Sequence, residues 1–171
     1  AKTVNLTKAS EPEIWNACFR KGTMLENVVI NNGEPDFFDS SITENGRASY
    51  ETAAIKNADI KGYVDKHPKN IVMLTCDSFG VLPPVMKLSA GEAVKQFLIG
   101  YTAKVAGTER GIKKPKCAFS ACFGLPFMPR KPIEYADILR RKIKEHNVNC
   151  WLVNTGWTGG PYGTGKRIPL K

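Results

Sequence analysis

The amino-acid sequence predicts an α/β fold, a mixed sheet with flanking helices. Between residues 70 and 155, continuous apolar runs typical of buried strands alternate with stretches that carry apolar residues at helical spacing. Residues 31–70 are instead rich in Asn, Asp, Gly and Ser. We therefore expect residues 1–171 to form a single domain. Its 1–69 part holds loops and short strands, and its 70–171 part is α/β.

The first predicted elements are short. Ser10 is expected to cap a helix within EPEIWNACFR, with Pro12 near its first turn. NVVI at 27–30 predicts a strand, and the turn residues NNGEPD follow it. The rest of this part predicts loops and short antiparallel strands.

The pattern becomes clearer at NIVMLT, residues 70–75, which predicts a strand covered on both faces. The Gly- and Pro-containing stretch CDSFGVLPP then predicts a loop. Ser89 begins a predicted helix that runs to about Ala106 and ends at Gly107.

Three further elements complete the α/β part. CAFSACF at 117–123 predicts a second buried strand, IEYADILRRKIKEH at 133–146 an amphipathic helix, and CWLVNT at 150–155 a third strand. Ligands of α/β sheets bind outside the carboxyl ends of the strands. Any chemistry is therefore expected in three loops: CDSFGVLPP, GLPFMPRKP and GWTGGPYGTGKR.

Composition limits the class of protein. Apolar residues make up 42% and charged residues 24% of the chain, which favours a soluble globular protein, and no apolar run approaches the roughly 18 residues of a membrane span. Five cysteines without a CxxC pair, and two histidines outside any zinc spacing, predict reduced and mostly buried thiols. The first residues contain no apolar core of a secretory signal, so we expect a cytoplasmic protein.

Charge is distributed unevenly. Residues 1–45 hold 4 Lys and Arg against 7 Asp and Glu, whereas residues 104–171 hold 14 against 4. The C-terminal part is therefore expected to attract anions, and nucleic acid, a membrane surface and phosphorylated small molecules all qualify. RRKIKEH at 140–146 is also typical of the solvated face of a helix, which needs no ligand.

The stretch GPYGTGKR, residues 160–167, is similar to a phosphate-binding Walker loop, GxxxxGK followed by Ser or Thr. Arg167 stands where the magnesium-binding hydroxyl belongs, and Pro169 interrupts the helix that should follow. We therefore do not expect a Walker loop here.

Several longer motifs occur in a fixed order: TCDSFGVLPP, GYTAKVAGTERG, FSACFG and WLVNTGWTG followed by TGKRIPLK. In this order and spacing they resemble the C-terminal half of ATP-dependent phosphoenolpyruvate carboxykinases. AKTVNLTKASEPEIWNA and SSITENGRASY resemble the same family, so the likeness covers nearly the whole chain. The resemblance implies an incomplete C-terminal nucleotide-binding domain.

This resemblance also implies an activity: decarboxylation of oxaloacetate and phosphorylation of the enolate by ATP, in gluconeogenesis. The implied cofactors are ATP, Mg²⁺ and Mn²⁺, with the Walker loop and the metal ligands expected outside this segment. The implied partners are oxaloacetate, ATP and the remainder of the same enzyme, with no nucleic acid and no membrane. By itself the segment is expected to be inactive.

Two residues are implied as catalytic. Arg47 matches a family arginine that faces both oxaloacetate and the γ-phosphate, and a guanidinium can fork between such oxygens. A surface ion pair is the alternative interpretation of Arg47. Lys2 matches a lysine near the γ-phosphate.

The nucleotide-binding residues implied by the resemblance are Glu11, Arg47, Phe127, Arg167 and Ile168. Glu11 can equally be a first-turn acid favoured by the helix dipole. Phe127, expected against adenine, can equally be a core residue. No metal ligand is predicted in this segment.

The chain departs from the family pattern at three places: TENGR carries Gly46 where the family has Thr, Glu51 replaces a Pro, and the last loop has the additional residues GGPY. Gly46 is expected to loosen the backbone beside Arg47. Asp77, which follows a strand, can orient a loop or an arginine.

Two other functions stay open on sequence alone. One is a basic module that binds anions or nucleic acid, and the other is a structural fragment without activity.

Overall fold

A computed structural model describes residues 1–106 and 111–169. The chain divides into two compact units, one of residues 1–65 with 106–113 and the other of residues 66–105 with 114–171. The first division falls close to the predicted change of character at residue 69. The prediction of one domain over 1–171 stays a prediction.

The first unit contains one described α-helix and short antiparallel ladders, as the sequence predicts. β1 (Met24–Glu26) pairs with β4 (Arg47–Ser49). β2 (Val29–Asn31) pairs with β3 (Glu34–Asp36) through a tight turn in which Asn32 and Gly33 both have positive φ, as two-residue hairpins require. The core of the unit contains Leu6, Cys18, Phe37 and Ala48. The elements are α1 (Pro12–Cys18), β1 (Met24–Glu26), β2 (Val29–Asn31), β3 (Glu34–Asp36) and β4 (Arg47–Ser49).

Two local predictions in this unit are wrong. Ser10 does not cap α1, because its hydroxyl accepts a hydrogen bond from the Thr7 N–H and Glu11 occupies the cap position without a side-chain bond. The strand predicted at 27–30 begins only at residue 29, because Asn27 adopts a left-handed conformation (φ 56°) that extended backbone does not allow.

The second unit is built around a three-stranded mixed sheet of β5 (Asn70–Thr75), β9 (Asn149–Asn154) and β6 (Val85–Leu88), in that order. β5 runs parallel to β9, and β6 runs antiparallel to it. α2 packs on α3 and contacts β6 and β9, so the predicted class of a mixed sheet with flanking helices is confirmed. The elements are β5 (Asn70–Thr75), β6 (Val85–Leu88), α2 (Ala90–Ile99), β7 (Tyr101–Lys104), β8 (Lys116–Phe119), α3 (Pro132–His146), β9 (Asn149–Asn154), β10 (Trp157–Thr158) and β11 (Lys166–Arg167).

The sheet has one covered face. Met73, Leu88 and Leu152 point into the core, where they meet Ala93 of α2 and Ile143 of α3. These residues are all less than 9% exposed, and burial of such side chains is the main source of stability.

The other face of the sheet is open among the described residues. Val72, Leu74 and Val85 are 56%, 61% and 58% exposed. The prediction that the 70–75 strand is covered on both faces is therefore wrong for this chain, although the strand itself has the predicted bounds.

The helix predicted from Ser89 to Ala106 is too long. The helix ends at Ile99, and Gly100 caps it in the left-handed conformation (φ 56°). The Gly100 carbonyl accepts a hydrogen bond from the Ser120 N–H at 3.1 Å. The chain then continues as β7. Gly107, the predicted end of the helix, lies outside the described residues.

The second predicted buried strand, 117–123, is also only partly right. β8 ends at Phe119 and is not fully buried, and residues 121–123 form a 3-10 turn. β7 and β8 pair with each other in a separate ladder. The prediction that GLPFMPRKP leaves an end of the central sheet is therefore wrong.

The N-terminus of α2 carries a capping box, in which the Ser89 hydroxyl accepts from the Glu92 N–H and the Glu92 carboxylate accepts from the Ser89 N–H. Ser89→Ala is therefore expected to lower the free energy of unfolding by about 1 kcal/mol, because one helical N–H loses its acceptor. Urea unfolding followed by circular dichroism measures this loss. Lys95→Ala, at an exposed position later in α2, leaves the capping box intact and serves as the control, and an equal loss in both variants would contradict the prediction.

The five cysteines are free, and all except the partly buried Cys117 are buried, as predicted. Within residues 1–106 and 111–169, no helix is both long enough and apolar enough to cross a membrane.

Candidate functional site

Lys2 and Arg47, the two residues implied as catalytic, lie side by side in the first unit. Arg47 begins β4, where it pairs with Glu26 of β1 on one side and forms an isolated antiparallel bridge with Lys2 on the other. Residues directly opposite each other in antiparallel strands place their side chains on the same face. Two cations and one carboxylate thus form a row across this ladder.

The row lines an open hollow of about 640 Å³, together with Ala48, Ser49 and other residues of the same ladder. Both Lys2 and Arg47 are exposed. Across the described part of the chain, no carboxylate lies within ion-pair distance of the Arg47 guanidinium. The surface ion pair considered as an alternative for Arg47 is therefore not formed there.

Gly46 has a packing role beside Arg47. It is buried, its carbonyl accepts a hydrogen bond from the Thr3 N–H at 3.0 Å, and a Cβ at this position would overlap the Thr3 hydroxyl. Thr3 is itself only 2% exposed. Glycine therefore lets the Thr3 and Arg47 segments approach each other closely, a reason for TENGR that the sequence did not indicate.

Glu11 stands immediately before α1. Its carbonyl accepts a hydrogen bond from the Trp15 N–H at 2.9 Å, and its side chain is exposed and makes no capping bond. It does not line the hollow that contains Lys2 and Arg47.

In the second unit, GPYGTGKR forms a β-hairpin rather than a strand–loop–helix. β10 and β11 pair with Trp157 opposite Arg167, and residues 159–165 form the loop between them. The prediction that this stretch is not a Walker loop is confirmed. The Arg167 guanidinium lies over the Trp157 ring at 5.3 Å, and its Nε donates to the Thr155 carbonyl at 3.4 Å.

Ile168 follows Arg167, and its N–H donates to the Gly156 carbonyl at 2.8 Å. Its side chain lines a hollow of about 320 Å³ with Val85, Val153, Thr155 and neighbouring residues. The hollow lies at the carboxyl end of β9, where ligands of α/β sheets bind.

Phe127 ends a 3-10 turn, Leu125–Phe127, and is 88% exposed. The alternative that Phe127 is a core residue is therefore wrong for the described segment. Phe127 does not line the hollow that contains Ile168.

Asp77 organises the loop that leaves β5. Its Oδ1 accepts hydrogen bonds from the Phe79 N–H (2.8 Å) and the Tyr101 hydroxyl (2.7 Å), and its Oδ2 accepts from the Val81 and Leu82 N–H groups (2.7 Å each). Burial alone would raise the pKa of Asp77, but these four hydrogen bonds outweigh burial and hold the pKa below its ordinary value. Asp77 is therefore a carboxylate at neutral pH.

Asn154, the last residue of β9, joins this loop to the next one. Its Oδ1 accepts from the Asp77 N–H (3.0 Å) and the Gly156 N–H (2.8 Å). Its Nδ2 donates to the Leu82 carbonyl (3.1 Å) and the Trp157 carbonyl (3.2 Å). The loops that follow β5 and β9 thus meet at one sheet edge, as predicted from the parallel pattern.

The partnership between Asp77 and Asn154 is not predicted from the sequence. The sequence predicts that Asp77 can orient a loop, but it assigns no role to Asn154. A usable indication exists, because each is a polar residue at or just beyond the carboxyl end of a strand, and β5 and β9 are neighbours.

The implied divalent cations have no matching donor set in this segment. Among residues 1–106 and 111–169, no group of three or more His, Cys, Asp or Glu side chains could hold a metal ion. Asp77, the most buried carboxylate, already accepts four hydrogen bonds from protein groups. The described residues therefore do not fit a metal site.

Comparison with known proteins places these features in a family. The family model described as phosphoenolpyruvate carboxykinase matches residues 1–171. Relatives named phosphoenolpyruvate carboxykinase (ATP), from Rhizobium etli, Brucella suis and Methylorubrum extorquens, are each 57% identical to this chain over its whole length. The chain spans 32% of the length of these relatives. A match over every residue, at more than half identity, shows that the chain belongs to the phosphoenolpyruvate carboxykinase family.

Proposed function

We propose that this chain is part of an ATP-dependent phosphoenolpyruvate carboxykinase. The full-length enzyme decarboxylates oxaloacetate and transfers the γ-phosphoryl group of ATP to the resulting enolate, giving phosphoenolpyruvate, carbon dioxide and ADP in gluconeogenesis. Family membership and the names of the relatives support this proposal. The single observation that carries it is the pairing of Lys2 with Arg47 on one face of a ladder.

Like charges directly opposite each other in a ladder repel and destabilise it. Such a pair becomes favourable when a multiply charged anion binds between the two cations. Oxaloacetate and the triphosphate of ATP are anions of this kind. The exposed Lys2 and Arg47 side chains, with the guanidinium free of ion pairs among the described residues, are available for that role.

In the proposed reaction, the C–C bond to the leaving carboxylate breaks and its electrons pass to the enolate oxygen. This oxygen attacks the γ-phosphorus, and the bond to the bridging oxygen of ADP breaks. Charge spreads over the transferred phosphoryl oxygens, so catalysis depends on positioning and on cationic groups. Arg47 forks between substrate and γ-phosphate oxygens, and Lys2 adds a second positive charge.

The nucleotide is assigned to the second group of residues. Arg167 binds phosphate or ribose oxygens, and Ile168 contacts the base beside the apolar hollow at the end of β9. Phe127 is proposed to lie against adenine, which is consistent with its exposure, and Glu11 is proposed to orient a cation beside the phosphates.

Members of this family use ATP and divalent metal ions. The identities Mg²⁺ and Mn²⁺ belong to the proposal, and their ligands are assigned to polypeptide outside this segment. The remaining parts of the proposal are a cytoplasmic location, the rest of the same enzyme as partner, and no nucleic-acid or membrane partner.

Arg167→Ala in the full-length protein tests the nucleotide assignment. We expect the KM for ATP to rise about 10- to 100-fold, because hydrogen bonds to charged groups contribute about 1.5–3 kcal/mol. Steady-state assay of phosphoenolpyruvate formation at varied ATP measures the change. Arg140→Ala, which removes an exposed arginine on α3, is the control.

An unchanged KM for ATP in folded Arg167→Ala would remove Arg167 from the nucleotide site. Wild-type protein that ignores ATP and oxaloacetate but binds oligonucleotides with steep salt dependence would favour the basic binding module instead. Wild-type protein that binds none of these ligands would favour a structural fragment.

A further inference from the structure

Asp77 and Asn154 are polar residues in a place where the fold does not need polarity. They are 0% and 1% exposed, close to the buried Thr75 and Ser78, in a unit whose main core cluster is apolar. Polar groups buried to this degree are costly unless every donor and acceptor has a partner. Their hydrogen bonds to the backbone of residues 77–82 and 156–157 explain why these two polar side chains are buried here.

The hydrogen bonds of Asn154 leave no freedom in the orientation of its amide. Both partners of Oδ1 are N–H groups, and both partners of Nδ2 are carbonyl oxygens. A rotation of the amide by 180° would place donor against donor and acceptor against acceptor four times. The side chain is thus a rigid link between residues 77–82 and 156–157.

The linked residues support the segment that carries Arg167 and Ile168. The Trp157 N–H donates to the Asp77 carbonyl at 2.8 Å, and Trp157 is the partner of Arg167 in the hairpin and the ring beneath its guanidinium. The Ile168 N–H donates to the carbonyl of Gly156, whose own N–H is bound by Asn154. The contacts that fix Arg167 and Ile168 therefore lead back to Asp77 and Asn154.

The two loops also touch through glycine backbones. A Cβ on Gly80 would overlap the Gly160 backbone, and a Cβ on Gly156 would overlap that of Asp77. The loop shaped by Asp77 and the hairpin loop are consequently packed backbone against backbone. A change in one displaces the other.

We infer that Asp77 and Asn154 are positioning residues for the adenine nucleotide, which hold Arg167 and Ile168 in the binding conformation before the nucleotide arrives. This inference rests on the proposed function. Binding groups that are fixed in advance lose less conformational entropy on binding, so their supports contribute to affinity without touching the ligand.

Asp77→Asn in the full-length protein is the first test. It keeps the size of the side chain but turns one acceptor oxygen, which faces two donors, into an NH₂ group. We expect the KM for ATP to rise at least 10-fold while the KM for oxaloacetate stays within 2-fold. An equal rise of both KM values would overturn the inference.

A double-mutant cycle separates positioning from general damage. If Asp77 acts through Arg167, Asp77→Asn raises the KM for ATP much less in the Arg167→Ala background than in wild type. Fully additive effects of the two substitutions would overturn the inference. Ile143→Ala, which opens the core between α3 and the sheet, controls for lost stability and is expected to leave the KM for ATP unchanged.

Tyr101→Phe provides a milder variant if Asp77→Asn does not fold. It removes one of the four donors to the carboxylate, together with the acceptor of the Ser78 N–H, and leaves the other three donors. We expect a KM for ATP between those of wild type and Asp77→Asn, about 3-fold above wild type. A wild-type KM for ATP in Tyr101→Phe together with an unfolded Asp77→Asn would count against the inference.

Amide hydrogen exchange without nucleotide tests the same point independently of activity. We expect the Trp157 and Ile168 amides to exchange at least 10-fold faster in Asp77→Asn or Tyr101→Phe than in wild type, with the Leu152 amide of β9 unchanged. Unaltered exchange at Trp157 and Ile168 in an active enzyme would overturn the positioning role alone. Wild-type protein that does not use ATP would overturn the proposed function, and the inference with it.

Discussion

Replacing Arg47 by alanine in the full-length protein is expected to lower kcat about 1,000-fold while the protein stays folded. Under the proposed function, the loss follows because the guanidinium lies beside the transferred phosphoryl group and stabilises charge that spreads in the transition state. The fold is expected to survive because the Arg47 side chain is exposed and no partner loses an ion pair among the described residues. Steady-state kinetics measures the loss of kcat, and thermal unfolding shows whether the variant is folded.

Arg47→Lys distinguishes charge from geometry. Lysine keeps the positive charge but cannot fork between two oxygens, so only part of the activity should return. Arg20→Ala, another exposed arginine of the same unit, is the matched control and should retain normal turnover. Near-normal kcat in Arg47→Ala would exclude Arg47 from catalysis.

Gly156→Ala is expected to destabilise the second unit by about 3–5 kcal/mol and to abolish most ATP affinity. The new Cβ would overlap the N and O atoms of Asp77 and lie 2.8 Å from its C atom. All of these are backbone atoms that cannot rotate away. The shift that relieves the overlap also strains the hydrogen bonds from Gly156 to Asn154 and from Trp157 to Asp77.

Gly91→Ala is the control for Gly156→Ala. Gly91 lies in α2, and a Cβ there meets no atom within 4 Å. Because alanine is the better helix former, this variant should be neutral or slightly more stable. Thermal unfolding and ATP titration of both variants give the comparison, and similar values for the two would show that the close approach at Gly156 carries no cost.

The sequence predicted the elements whose local pattern agrees with their packing. NIVMLT is a long β-branched apolar run, and its strand has the predicted bounds. α3 begins one residue before the prediction, at Pro132, because proline is favoured in the first turn of a helix. Three residues of its predicted apolar stripe, Ala136, Leu139 and Ile143, pack in the core as the helical spacing predicts. The fourth, Ile133 in the first turn, is 50% exposed, so the prediction is wrong at that position.

Predictions were wrong where backbone conformation or distant packing decides the structure. Helical spacing continues across Gly100, so the pattern gave no reason to end α2 there. The end is fixed by a left-handed conformation and by close approach of the Ser120 backbone. β6 was missed because four residues between Pro84 and Ser89 are too few to show a period, although their pairing with β9 defines them.

Similar limits apply to the site. The resemblance supplied Lys2 and Arg47, but only the ladder brings them opposite each other. The hydrogen bond between Asn154 and Asp77 joins residues separated by 77 positions, and a pattern confined to neighbouring residues contains no trace of it.

The open face of the central sheet affects the solubility of this segment. Val72 and Leu74 of β5 and Val85 of β6 form an exposed apolar patch. Val153 of β9 lies between Leu74 and Val85 in register, so the patch crosses all three strands. A polypeptide that exposes such a patch to water aggregates as its concentration rises, unless another surface covers the patch. Threonine keeps the β-branched shape of Val72 and Val85, gives position 74 a residue that strands favour, and adds a hydroxyl at each position. A soluble version of residues 1–171 for isotope labelling therefore begins with those three substitutions.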